Sequence, residues 1–180
     1  MKIIGICGVA RSGKDTLYLC LKDIAPRKEW RRLAFADELK SECEEFLLKN
    51  TGISPFTDSD EEKLLIRPFL VAYGTHLRRA IDPNCWVSAV KKQVEGSANG
   101  EISVITDVRY KNETDWIKET GGVLVHVSRD GVLPANSEEQ INDPILSGLA
   151  DIRISWPTYS NNYFEKCKNI TKKIIQKLQI

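Results

Sequence analysis

The stretch GVARSGKDT, residues 8–16, has the residue types and spacing that grip phosphate. Gly8 and Gly13 let the backbone curl until successive N–H groups converge on one point, and Lys14 adds a mobile positive charge. A helix starting there contributes unpaired N–H groups and the positive end of its dipole. Gly8, Gly13 and Lys14 are therefore the expected triphosphate contacts. Such loops usually place Ser or Thr directly after the lysine to meet magnesium, whereas here Asp15 stands there and the hydroxyl follows at Thr16. Magnesium keeps several waters, so a displaced hydroxyl can still serve it. The shift points to a small-molecule kinase over a signalling GTPase or a motor. No Asn-Lys-x-Asp element for reading guanine is present either.

Two further groups carry chemistry. Asp107 ends the apolar run ISVIT, where a carboxylate at a strand's carboxyl end can hold magnesium directly or through water. Arg109 follows and could reach a phosphate in transfer, although a structural ion pair would equally account for it. In RPFLVAYGTHLRRAIDPNCW, residues 67–86, Arg67, Arg78 and Arg79 mix with Tyr73 and Trp86 around a break at Gly74. Arginine forks fit phosphate oxygens and an aromatic ring can stack on a base, as a second, acceptor nucleotide would need. The plainer reading is a solvated helix face with aromatic anchors. His76 and His126 read as packing or hydrogen-bonding residues, because phosphoryl transfer needs no histidine base.

These residues require a frame that puts strand ends and helix starts side by side. Short apolar runs alternate with longer amphipathic ones, which predicts an α/β fold on a mainly parallel sheet. Strands are expected at 2–7, 30–35, 102–106, 123–127 and 151–155. Helices are expected from Gly13 to Ile24, from a cap near Asp37, after Thr57-Asp58, from Pro68, from Asp82-Pro83, after Asn112 and from about Asn161. The 180 residues suit one domain, and 42% hydrophobic with 28% charged residues is ordinary for a globular chain. A net charge of +1 gives no reason to expect nucleic-acid polymers or membrane surfaces as partners. Cys7, Cys20, Cys43, Cys85 and Cys167 are dispersed without a CxxC pair, which predicts reduced, buried thiols and a cytoplasmic setting.

The assembled pieces resemble the phage-type deoxynucleoside monophosphate kinases. GVARSGKDT is the most specific match, followed in order by FADELK at 35–40, YGTHLRRAIDPNCW at 73–86, ITDVRYKNE at 105–113, VHVSRDG at 125–131 and NSEE at 136–139. The resemblance implies a phosphate-loop kinase core, residues 1–36 and 98–180, with a five-stranded parallel sheet in a three-layer sandwich. It further implies a helical acceptor-binding insertion at about 37–97 and a lid within about 129–150. Transfer of the terminal phosphate of ATP to a deoxynucleoside monophosphate with magnesium follows from it. Gly8, Arg11, Ser12, Gly13, Lys14, Asp15 and Thr16 would contact the triphosphate, Lys14, Asp107 and Arg109 would be catalytic, and Thr16 and Asp107 would hold the metal. Asp37, Lys40, Arg67, Tyr73, Gly74, Arg78, Arg79 and Trp86 would serve the acceptor. The chain departs from the family at Asn136, where a histidine is common, and at Trp156, where an asparagine is.

The resemblance places the protein in a host cytoplasm, as a monomer or homodimer acting on small molecules. Two alternatives remain at this point. One is a kinase of another phosphorylated acceptor, such as phosphomevalonate or dephospho-coenzyme A. The other is a nucleotide-binding module without catalysis.

Overall fold

The computed structural model describes residues 2–158 and 162–178. One compact unit comprises Met1–Leu33 with Gly96–Ile180, and a second comprises Ala34–Glu95.

The first unit is built on five strands, β1 (Lys2–Cys7), β2 (Trp30–Leu33), β3 (Ile102–Val108), β4 (Val123–Arg129) and β5 (Ile152–Trp156). All pair in parallel, in the order β2-β3-β1-β4-β5. Central β1, KIIGIC, is apolar and buried from Ile3 to Cys7 because both its faces are covered there. Edge strand β5 alternates instead, burying Ile152, Ile154 and Trp156 and exposing Arg153 and Ser155. Helices α1 (Lys14–Ile24) and α8 (Tyr163–Leu178) pack together as one layer, while α6 (Lys111–Glu119) and α7 (Ser137–Leu149) form the other. The α1/α8 side holds the main core, where Ile4, Val104, Val125 and Ile154 from the sheet meet Leu17, Leu21 and Ile174. On the opposite side Gly5 admits α6 so closely that a Cβ there would lie 2.6 Å from Ile117 Cδ1.

The chain leaves β1 to build β2 and β3 on one side, then returns to build β4 and β5 on the other. The carboxyl end of β1 is thus the switch point of the sheet, the crevice where such folds bind ligands. Beside it, β1 and β3 slip out of step. Gly5 pairs Ile105 but Cys7 pairs Val108, so β3 carries one extra residue across Thr106 and Asp107. A bulge of this kind re-aims side chains at a strand's end.

The second unit contains α2 (Phe35–Thr51), α3 (Asp60–Val71), a π-helical segment (Ala72–Arg78), a short α4 (Arg79–Ile81) and α5 (Cys85–Glu95). Cys43, Leu47 and Ile66 form its small core, bordered by Phe69 and Tyr73. Several expected boundaries move. β2 ends at Leu33, and α2 begins at Phe35, so Asp37 lies in its first turn and does not cap it. Ser59, whose side chain accepts from Glu62 N, caps α3 in place of Thr57-Asp58. Pro68 lies inside α3 and does not start a new helix. The expected break at Gly74 is absent, and the chain widens into π turns there. Gly74 is explained by close approach, since a Cβ would stand 2.7 Å from Leu39 Cδ2. Tyr110, not Asn112, is the N-cap of α6.

Ile174 is 3% exposed in the α1/α8 core. Ile174→Ala should lower unfolding free energy by about 2–5 kcal/mol, read as a lower urea midpoint at an unchanged slope.

Candidate active site

The loop between β1 and α1 takes the shape its glycines permit. Gly8 has φ 134° and Gly13 has φ 98°, both in the region that side chains disfavour. A Cβ on Gly8 would fall 2.1 Å from the Val127 carbonyl oxygen, so the loop lies directly on β4. Arg11 is the one non-glycine residue of positive φ, at 62°, among the described residues, and it is exposed. Ser12 is fully buried, and its Oγ has no hydrogen-bond partner among the described residues. Such an orphan hydroxyl marks a place where a bound group or water belongs.

The loop is braced from behind by residues whose sequence gave no hint of that role. The Trp156 indole N–H donates to the Gly13 carbonyl at 2.9 Å, and the side chain is fully buried. A Cβ on Gly13 would meet Arg129 Nη2 at 2.5 Å and Trp156 Cδ1 at 2.6 Å. Arg129 itself donates to the Tyr163 hydroxyl and lies 5.1 Å above that ring. The two departures from the family pattern therefore have local duties. Trp156 pins Gly13, and the Asn136 side chain caps α7 by accepting from Glu139 N at 2.9 Å.

Lys14 folds back over the loop, donating from Nζ to the Gly8 and Val9 carbonyls at 2.8 Å each. Burial holds its pKa below the ordinary lysine value, and Arg109 adds to this, while Glu139, Asp15 and Asp107 pull the other way. Lys14, Arg109, Asp107 and Glu139 thus share one electrostatic neighbourhood. Thr16, in the first turn of α1, lies near the Tyr163 hydroxyl. Asp15 is exposed in the first turn of α1.

Glu139 is the residue at the centre. It is 8% exposed, and Oε2 accepts from the loop's Ala10 N–H at 3.1 Å and from Ala135 N–H at 3.0 Å. Oε1 accepts from Arg109 Nη1 at 3.1 Å. Burial alone would raise its pKa, yet the two N–H donors, Arg109 and Lys14 outweigh that and hold it below the usual carboxylate value. Glu113 performs a related service, accepting from Arg109 N at 2.7 Å and Tyr110 N at 3.1 Å at the start of α6. A shallow cleft opens beside the loop, with Gly8, Val9, Arg109, Tyr110, Glu139 and Asn142 in its wall.

In the second unit several residues expected on the acceptor side form a network of their own. Arg78 grips Glu42 with Nε at 3.0 Å and Nη2 at 2.9 Å, and the Tyr73 hydroxyl donates to the same carboxylate at 2.9 Å. Trp86, expected to offer a ring for stacking on a base, is 2% exposed. Its indole N–H donates to Gly74 O at 3.3 Å, and the Arg78 guanidinium lies 5.5 Å from its ring, so it anchors the arginine instead. Arg67 is exposed, Asp37 and Arg79 are half-buried, and Lys40 Nζ lies 5.3 Å over the Phe56 ring. His126 pairs with Asp143 at 3.0 Å, which accounts for a buried histidine without assigning it chemistry. All five cysteines are free and buried, and burial pushes the Cys7 thiol up to about 12.

A profile of the family described as deoxynucleotide monophosphate kinase matches residues 20–143. The chain is also 31% identical over 150 residues to an Acanthamoeba polyphaga mimivirus protein provisionally named deoxynucleotide monophosphate kinase, covering 73% of this chain and 76% of that protein. The chain belongs to the deoxynucleotide monophosphate kinase family. The match begins after the phosphate loop, so family membership and the loop's geometry are separate observations that agree. The dephospho-CoA kinase of Campylobacter jejuni superposes with a TM-score of 0.51 at 14% identity, covering 98% of this chain and 99% of that one. That likeness establishes a shared kinase fold for this family member. Family membership supports a nucleotide kinase over a non-catalytic module, and the dephospho-CoA kinase likeness fits only as that of a related kinase.

Glu42, Glu113, Arg129, Glu139 and Tyr163 were not singled out as site residues from the sequence. The spacing of Asn136 and Glu139 suits a helix start, and nothing in it points to the loop.

Two outcomes follow from this geometry. Trp156→Phe removes the donor to Gly13 and should cost about 1–3 kcal/mol in urea unfolding. Because the folded pKa of Glu139 is depressed, its contribution to stability is complete above the ordinary glutamate value and drains as pH falls through the folded one. Unfolding free energy measured across that acid window should fall more steeply for wild type than for Glu139→Gln.

Proposed function

We propose that this kinase transfers the γ-phosphate of ATP to a deoxynucleoside monophosphate, giving a deoxynucleoside diphosphate and ADP. The observation that carries the reading is the loop at the sheet's switch point, with Lys14, Arg109 and Asp107 in one electrostatic neighbourhood, in a chain of this family. Loop N–H groups and Lys14 would receive the triphosphate. Its negative charge would draw Lys14 off the Gly8 and Val9 carbonyls and raise the depressed ammonium pKa. Arg109 would bind the phosphoryl group in transfer, and Arg67, Arg78 and Arg79 of the helical unit would serve the acceptor phosphate.

In the reaction an oxygen of the acceptor phosphate attacks the γ-phosphorus, and the bond to the β–γ bridging oxygen breaks as ADP leaves. The attacking phosphate is already ionised near neutral pH, so no protein base is needed. Positioning and charge stabilisation supply the rate.

Asp107 and Thr16 are hard oxygen donors of the kind magnesium takes, and no three His, Cys, Asp or Glu residues gather into a metal cluster among the described residues. That donor set fits an ion whose shell is completed by phosphate oxygens and water. When bound, magnesium would neutralise charge on the β- and γ-phosphates.

No helix among the described residues is long and apolar enough to cross a membrane. We place the enzyme in the cytoplasm, phage-encoded, with ATP and a deoxynucleotide as its partners.

A coupled assay of common deoxy- and ribonucleoside monophosphates with ATP and magnesium should show turnover of at least one deoxynucleotide. Turnover of phosphomevalonate or dephospho-coenzyme A alone would overturn the reading. Lys14→Ala should lower kcat by about a thousandfold or more while thermal melting shows a folded protein.

A further inference from the structure

We propose that Glu139 is a positioning residue for phosphoryl transfer, holding Arg109 by one corner of its guanidinium against the phosphate loop. This rests on the proposed kinase reading.

The geometry is asymmetric in a way that a simple ion pair does not require. Arg109 follows β3, where a run of bulged residues gives way to α6, and its side chain is 45% exposed. A long side chain in that setting would sample many rotamers. One N–H group, on Nη1, is bound by Glu139 Oε1. No other acceptor is recorded for the guanidinium among the described residues, so Nε and Nη2 remain available as a fork for two phosphate oxygens. The main chain at the same residue is held separately, by Glu113 on Arg109 N.

The other end of the tether is rigid. Glu139 Oε2 takes the Ala10 N–H of the loop and the Ala135 N–H ahead of α7, while Asn136 fixes the Glu139 N–H. One buried carboxylate therefore ties the arginine to the loop that would carry the donor phosphates. A surface ion pair would do little of this, because exposed pairs are weak and mobile. Here the carboxylate is 8% exposed, and its depressed pKa keeps it charged at neutral pH.

The two oxygens have different duties, and this makes the idea testable. In Glu139→Gln the amide oxygen can keep the Ala10 and Ala135 bonds, whereas the NH₂ group then faces Arg109 donor to donor. The variant breaks the arginine tether and leaves the loop bonds in place.

The experiment is a double-mutant cycle of Glu139→Gln with Arg109→Ala, reading kcat on the best deoxynucleotide acceptor and ADP binding by calorimetry. Glu139→Gln should lower kcat by about tenfold or more, with the Kd for ADP within about threefold of wild type. In the Arg109→Ala background the same change should cost less than about twofold, because the partner it acts through is gone. Equal losses in both backgrounds would overturn the proposal and assign Glu139 a purely structural role. Tighter ADP binding with an undiminished kcat would also overturn it, showing the carboxylate as a mere occupant of the anion's place. If Glu139→Gln does not fold, Glu139→Asp, one methylene shorter, is carried through the same cycle with the same criteria. A wild-type enzyme that phosphorylates no deoxynucleotide overturns the kinase reading and takes this proposal with it; an active wild type with independent effects overturns this proposal alone.

Discussion

Donors aimed into a concave loop need an anion, and that requirement organises the sheet unit. The loop after β1 takes its curl only because Gly8 and Gly13 accept positive φ, and it keeps that shape because β4 and β5 press on it. Trp156 secures the Gly13 carbonyl, Arg129 fills the space beside Gly13, and Tyr163 steadies Arg129. In this structure Glu139 supplies negative charge to one loop amide, and Lys14 turns its ammonium onto loop carbonyls. These contacts satisfy part of the loop internally, while the buried Ser12 Oγ is left without a partner among the described residues.

Much of this was legible from residue order, for a physical reason. Parallel strands buried on both faces must be continuously apolar, so KIIGIC, ISVIT and VLVHV declare themselves. A glycine loop between such a strand and an amphipathic helix leaves few foldings other than the one seen. What stayed hidden depends on contacts distant in sequence. Trp156 meets Gly13 across 143 positions, and Glu139 meets Ala10 across 129. No local pattern encodes either. Trp156 drew notice only as a departure from a family, and its reason lies in the loop's back support. Gly74 misled in the opposite sense. It was read as a breaker, whereas close packing on Leu39 is what demands a residue without a side chain there.

The helical unit shows how charge can be kept ordered before a ligand arrives. A seven-residue π-helical segment carries Tyr73, Gly74 and Arg78. Such segments cost backbone regularity and concentrate where function needs particular side chains in line. Here the wide turns bring Tyr73 and Arg78 to one carboxylate, Glu42, with Trp86 behind the arginine. For Arg78 to serve an acceptor phosphate, it must share its fork with Glu42 or release it. A preordered guanidinium loses less rotamer entropy on binding than a free one, which favours such an arrangement despite the competing carboxylate.

The displaced hydroxyl of the loop has a geometric consequence. One residue along an α-helix turns a side chain through about 100°. Moving the hydroxyl from the position after Lys14 to Thr16 therefore carries it round α1, near Tyr163. Asp15, in the usual place, brings a negative charge to the helix start, where the dipole favours it but a triphosphate does not. Under the proposed function the positive groups must offset that extra charge, and the magnesium shell must lean on Asp107, phosphate and water more than on Thr16. The clustering of Lys14 and Arg109 about the loop mouth, with Glu139 setting the arginine's direction, is the compensation that such a loop requires.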